Sequence, residues 1–111
     1  MNYKIKDCLL KAKRYESTKN MKKTLDEARK EINRIDKEMA RLFEERMKCA
    51  EAVAEYKRES GMPIFDPERE AEIIDKNSAL ICKEELRHHY VRFLQELMNI
   101  SKDYQAEILS K

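Results

Sequence analysis

Between residues 25 and 56 the apolar positions recur at alternating intervals of three and four: Leu25, Ala28, Ile32, Ile35, Met39, Leu42, Arg46, Cys49, Val53 and Tyr56. This is a heptad seam along one face of a helix, and Arg46 is its one charged member. Thr24-Leu25-Asp26-Glu27 opens the segment as a capping box, in which the Thr24 hydroxyl accepts from the Glu27 amide while Glu27 reaches back. Ser60-Gly61 closes it, with Gly61 just past the last turn and Pro63 beyond. A helix of about 35 residues is about 50 Å long, whereas a compact domain of about 90 residues has a radius of gyration of about 12 Å. Two shorter helices of the same chain cannot cover such a rod, so a partner chain is the simplest way to bury the seam.

A second helix is expected from Asp66-Pro67-Glu68-Arg69, with Asp66 as N-cap and Pro67 at the first helical position. Ile73, Ile74, Leu80 and Ile81 form its apolar side, and its end is placed near 83–86, where no Gly or Pro marks a break. A third helix runs to the C-terminus with Leu86, Tyr90, Leu94, Leu97, Ser101, Tyr104 and Ile108 facing inward, flanked by Met98 and Gln105. No strand pattern and no internal repeat occur. The reading is all-α, with one very long helix and two shorter ones.

Ahead of these helices, residues 1–20 read as a basic N-terminal extension and 21–111 as the folded domain. Ile5, Cys8, Leu9, Ala12 and Tyr15 recur at helical spacing among lysines. That pattern fits a short amphipathic helix meeting an acidic partner or a membrane surface, or a solvated arm before a second start at Met21. Basic runs are usually solvated faces, which favours the arm.

Composition narrows the picture. One Gly and two Pro in 111 residues leave few turns, and a chain this small often gains stability by oligomerising. The net charge of +2 is uneven: residues 1–24 hold eight of the 24 basic residues and two of the 22 acidic ones, leaving the rest at −4. That balance argues against a nucleic-acid-binding body and leaves the N-terminal arm open. Three widely spaced cysteines without a CxxC read as free thiols in a reducing cytoplasm. The neighbours His88 and His89 point in different directions on a helix and make a poor metal pair. No run is long and apolar enough for a membrane span or a signal peptide.

Arg46 is the position that needs a reason, because a charge on an apolar seam is costly unless it is paired. It is either half of a buried ion pair or register-setting polar contact, or a cation facing a cavity that receives an anion. Lys57 lies eleven residues on, on the same face and about 16 Å along the axis, so the two long side chains can converge on a small anion. Arg29 precedes Arg46 by seventeen residues, about 25 Å, and cannot grip the same ligand from the same helix. An antiparallel partner helix can bring its own Arg29 there. Ser101 and Gln105 stand one turn apart on the inner side of the third helix, as a hydrogen-bonded contact to a neighbour or as neutral ligand donors. Asp66 can serve as a cap alone, and Arg69 and Glu70 as first-turn surface charges.

Taken in order, ARKEINRID (28–36), EERM (44–47), the lysine of AEYKRESG (54–61), PIFDPERE (63–70) and ISKDYQ (100–105) resemble the all-helical class of chorismate mutases. The resemblance implies an intertwined helical homodimer with shared active sites and no cofactor or metal. It implies that Arg29 reaches in from the partner subunit and that Arg46 binds a carboxylate within its own. By the same resemblance Lys57 contacts the ether oxygen and a carboxylate, Asp66 and Glu70 surround the ring hydroxyl with Arg69 beside them, Ser101 touches a carboxylate, and Gln105 is the second ether-oxygen donor. The N-terminal arm, and a stretch near 83–86 without the family's common glycine, depart from the pattern. The implied reaction is the [3,3] rearrangement of chorismate to prephenate in phenylalanine and tyrosine biosynthesis, with Lys57, Gln105 and Arg46 as the catalytic groups. Its demands fit a chain offering Arg, Lys, Gln and Ser without a nucleophilic triad. The rivals are an isochorismate pyruvate lyase on the same scaffold, against which the Asp66/Arg69/Glu70 cluster and the Ser101–Gln105 pair speak, and a non-catalytic helical dimerisation module, against which Arg46 speaks.

Overall fold

The computed structural model describes residues 24–111. The arm, its expected amphipathic helix and Met21 lie outside the described residues. Among the described residues there are three α-helices and no strand: α1 (Leu25–Ser60), α2 (Pro67–Ser78) and α3 (Arg87–Leu109), with a 3-10 turn at Glu84–Leu86. The all-α expectation holds.

Both ends of α1 follow from local chemistry. The Glu27 amide donates to the Thr24 hydroxyl at 3.1 Å. Asp26 and Glu27 sit in the first turn and Lys57 and Arg58 in the last, each sign matched to the helix dipole. At Gly61 the backbone turns left-handed, with φ 74°, and its N–H donates to the Lys57 carbonyl. The result is a rod of 36 residues.

The end of α2 corrects the sequence reading. The helix stops at Ser78, ahead of the expected 83–86. Leu80 and Ile81 donate to the carbonyls of Asn77 and Ser78, at 3.1 Å each. These i→i+3 bonds tighten the last turn and end it without Gly or Pro, at residues whose side chains compete for backbone groups.

The described chain divides into two compact units, Pro67–Met98 and residues 24–66 with Asn99–Lys111. Within the first, Arg87 Nε donates to the Ile81 carbonyl at 2.8 Å and ties the turn to the start of α3. Within the second, Tyr104 donates to Glu51 at 2.7 Å and Arg58 to the Ile108 carbonyl at 2.7 Å, clasping α1 to the end of α3. The residues α1 buries are Ala50, Ala54 and Lys57, one stripe at i, i+4 and i+7.

That stripe is not the heptad seam. Along the seam Ile32 and Leu42 are each 53% exposed and Tyr56 is 64% exposed. Among the described residues this face of α1 is largely exposed.

Cys49 is free and exposed. Of the other two thiols expected to be free, Cys8 lies outside the described residues.

Candidate active site

Lys57 projects from the buried stripe of α1 and is itself buried. An ammonium out of water is costly unless acceptors meet its protons. Two do: the Ile64 carbonyl at 2.6 Å and Gln105 Oε1 at 3.0 Å. Local geometry supplies the first. Gly61 reverses the backbone, Met62 N–H donates to the Lys57 carbonyl at 3.1 Å, and the chain returns with Ile64 at the ammonium.

α3 supplies the second acceptor. Ser101 and Gln105 are both buried, one turn apart, and Gln105 Nε2 donates to Ser101 Oγ at 3.3 Å. The amide is thereby oriented, oxygen to Lys57 and nitrogen to Ser101. An ammonium has three protons and an amide nitrogen two. One N–H of Lys57, one N–H of Gln105 and the Ser101 hydroxyl proton thus remain for a ligand. Among the described residues no carboxylate pairs with Lys57, whose partners are neutral oxygens. The cluster is a surplus of donors around a buried positive charge, suited to an electron-rich oxygen or an anion.

The structure brings Lys57, Ser101 and Gln105 together. Arg46 is half-buried on α1 and makes no ion pair or hydrogen bond among the described residues, so the reading of an ion pair within the described chain falls away. Arg29 is exposed and, seventeen helical residues earlier, stands about 25 Å from Arg46 along the axis. Asp66 is half-buried at the end of the loop that follows α1. Arg69 and Glu70 belong to the first turn of α2, in the other unit, where Arg69 pairs with Glu72 and Glu70 is half-buried.

Sequence reasoning missed the Ile64 carbonyl, since a backbone acceptor leaves no trace in residue type. The signal for it was the Gly61–Pro63 turn directly after Lys57. It also passed over the Lys102 ammonium, which lies 4.7 Å from the centre of the Phe65 ring.

An open groove of about 710 Å³ runs between α1 and the end of α3, away from this cluster. Glu44, Glu45, Glu51, Asp103 and Glu107 line it against two cations, Arg41 and Lys48. Its sign is wrong for an anionic ligand, and the buried Lys57 cluster is the better site. At the groove Tyr104 donates to Glu51, and that bond holds the phenol pKa above its ordinary value.

Lys57, Gln105 and Ser101 thus form a buried donor cluster in a helical domain. Residues 28–106 match the family model of chorismate mutase type II, and the chain belongs to that family of isomerases. It is 38% identical over 92 residues to a chorismate mutase of Methanocaldococcus jannaschii, covering 78% of this chain and 89% of that one. It is 36% identical over 93 residues to a bifunctional chorismate mutase/prephenate dehydratase of Aquifex aeolicus, covering 77% of this chain. A protein of the same description from Buchnera aphidicola is 36% identical over 84 residues. The chain spans only 26% and 22% of the length of these two bifunctional relatives. No solved structure matches it.

Proposed function

We propose that the chain converts chorismate to prephenate by an intramolecular [3,3] rearrangement, in the biosynthesis of phenylalanine and tyrosine. The observation that carries this reading is the buried Lys57–Gln105–Ser101 chain in a member of this family. In the rearrangement the bond to the ether oxygen breaks as a carbon–carbon bond forms elsewhere in the same molecule, and negative charge builds on that oxygen. The spare N–H groups of Lys57 and Gln105 donate to it. Such donors stabilise the transition state more than the ground state, which is what accelerates a reaction.

Two carboxylates must also be held in the reactive shape. Arg46, half-buried and without a protein partner among the described residues, binds one within its own subunit. Lys57 and Ser101 contribute to carboxylate binding as well. Arg29 of the partner subunit completes the clamp, which fixes orientation before the chemical step. Asp66, Arg69 and Glu70 are assigned to the ring-hydroxyl end on the family pattern.

The same reading makes the protein an intertwined homodimer with shared sites. The uncovered seam of α1 and the axial distance from Arg29 to Arg46 both support it. Residues 1–20 are then an extension outside the catalytic domain of 21–111, and neither nucleic acid nor membrane is a partner. Among the described residues no helix is long and apolar enough to cross a membrane. We place the protein in the cytoplasm, which a biosynthetic role and the free Cys49 thiol support.

Following chorismate absorbance tests the assignment directly. Loss of chorismate with appearance of prephenate is expected. Inertness toward chorismate with turnover of isochorismate would move the chain to the lyase reading. Inertness toward both, in a folded dimer, would leave a dimerisation module.

A further inference from the structure

We propose that Phe65 and Lys102 are positioning residues that hold Lys57 in its donor geometry. The inference rests on the reading of Lys57 as the ether-oxygen donor. Lys57 is gripped from two sides, by the Gln105 amide and by the Ile64 carbonyl. Gln105 sits on a helix, and Ser101 already orients its amide. The Ile64 carbonyl sits in the loop between α1 and α2, outside regular structure, and must be held by something else.

The next residue supplies that hold. The carbonyl of Ile64 and the N–H of Phe65 lie in one planar peptide unit, so fixing Phe65 fixes the direction of the carbonyl. The Phe65 ring is 54% exposed, and burial within the chain does not anchor it. The Lys102 ammonium lies 4.7 Å from the ring centre, inside the cation–π range of about 6 Å. Lys102 follows Ser101 directly and precedes Gln105 by three residues. One turn of α3 thus controls both grips on Lys57, through Gln105 on the side chain and through Lys102 on the loop.

Phe65 and Lys102 are not catalytic in this scheme, because neither meets the reacting atoms. Their loss should loosen the Ile64 carbonyl and give the Lys57 ammonium freedom it otherwise lacks. A donor that matters most in the transition state should show this in kcat more than in KM.

The test is a double-mutant cycle on the full chain with Phe65→Leu and Lys102→Met, together with Phe65→Trp, which keeps a π face. Each of the first two should lower kcat about two- to fivefold with KM little changed, the size expected of one exposed cation–π contact. The double variant should be no slower than the worse single, and Phe65→Trp should retain wild-type kcat. The Lys57 ammonium resonance in a nitrogen-15 spectrum, assigned by its loss in Lys57→Gln, should weaken in Phe65→Leu and persist in Phe65→Trp. Unchanged kcat in either single variant, additive losses in the double, or an unaltered ammonium resonance would overturn the proposal. A wild-type protein inert toward chorismate would sink the reading of the site instead, and the ammonium resonance would then judge the clamp on its own.

Discussion

The ammonium of Lys57 lies 3.0 Å from the amide oxygen of Gln105, 48 positions further along the chain. A carboxylate at 105 would accept from the same ammonium but could donate nothing while ionised. Gln105→Glu should therefore lose at least about a hundredfold in turnover at neutral pH, the usual scale for removing one such donor. Activity should return as pH falls and the carboxyl gains a proton. Burial raises that pKa and the neighbouring Lys57 lowers it, and in either case the rescue lies on the acid side. Gln105→Ala should be slow without rescue. Turnover of both variants from acidic to neutral pH, with folding verified at each point, separates the two; a Gln105→Glu enzyme fully active at neutral pH would show that Gln105 is no donor.

Shared sites predict complementation. Arg29→Ala and Arg46→Ala homodimers should each be inactive, while a heterodimer of the two recovers one intact site. Verified subunit exchange without recovered activity would count against sharing. Ile35, on the uncovered seam, offers the companion experiment: Ile35→Asp should abolish dimers in sedimentation and activity with them.

Ala54 has no exposed surface. Ala54→Leu forces extra methylenes into a filled position and should destabilise by about 1–3 kcal/mol, read as a lower denaturant midpoint. A larger side chain accepted there without loss would mean that the stripe is not closely packed.

The Tyr104–Glu51 bond gives a pH prediction with a definite sign. The folded phenol pKa is raised, so the bond contributes at neutral pH and is lost as pH rises through that higher value. An ultraviolet titration should show the Tyr104 phenol ionising above its ordinary range, and Glu51→Gln should bring it back down.

A protein beginning at Met21 should keep its fold and kinetic constants if residues 1–20 are an accessory. A large fall in kcat would give those residues a place in the site or the dimer.

Legibility in the sequence followed local chemistry. Thr24, Gly61 and Pro67 mark helix ends through a hydroxyl, a left-handed backbone and a fixed φ, each a property of one residue. The inner face of α3 was readable in part: Leu94 and Ser101 are buried as expected, the flanking Met98 and Gln105 are buried too, and Leu86, expected inside, is 48% exposed. The end of α2 was not, because i→i+3 bonds at Asn77 and Ser78 stop it without a breaker residue. Nor was the stripe of Ala50 and Ala54, since small residues carry a weak hydrophobic signal and the larger side chains of the seam outweigh them. Of the site, Lys57, Ser101 and Gln105 could be named from the chain, but the Ile64 carbonyl that completes the grip on Lys57 depends on a fold-back that spacing does not encode.

Among the described residues the buried hydrophobic side chains are Ala50, Ala54, Leu94 and Met98, and no large side chain is fully buried. So thin an interior gives a single chain little to hold it together. If the seam finds its cover in a second copy, dilution withdraws structure and activity together, and the melting temperature climbs with protein concentration. Expression level then acts as a threshold: below it, newly made chains wait without a core of their own, and above it, each added chain raises the fraction that is assembled as well as the total.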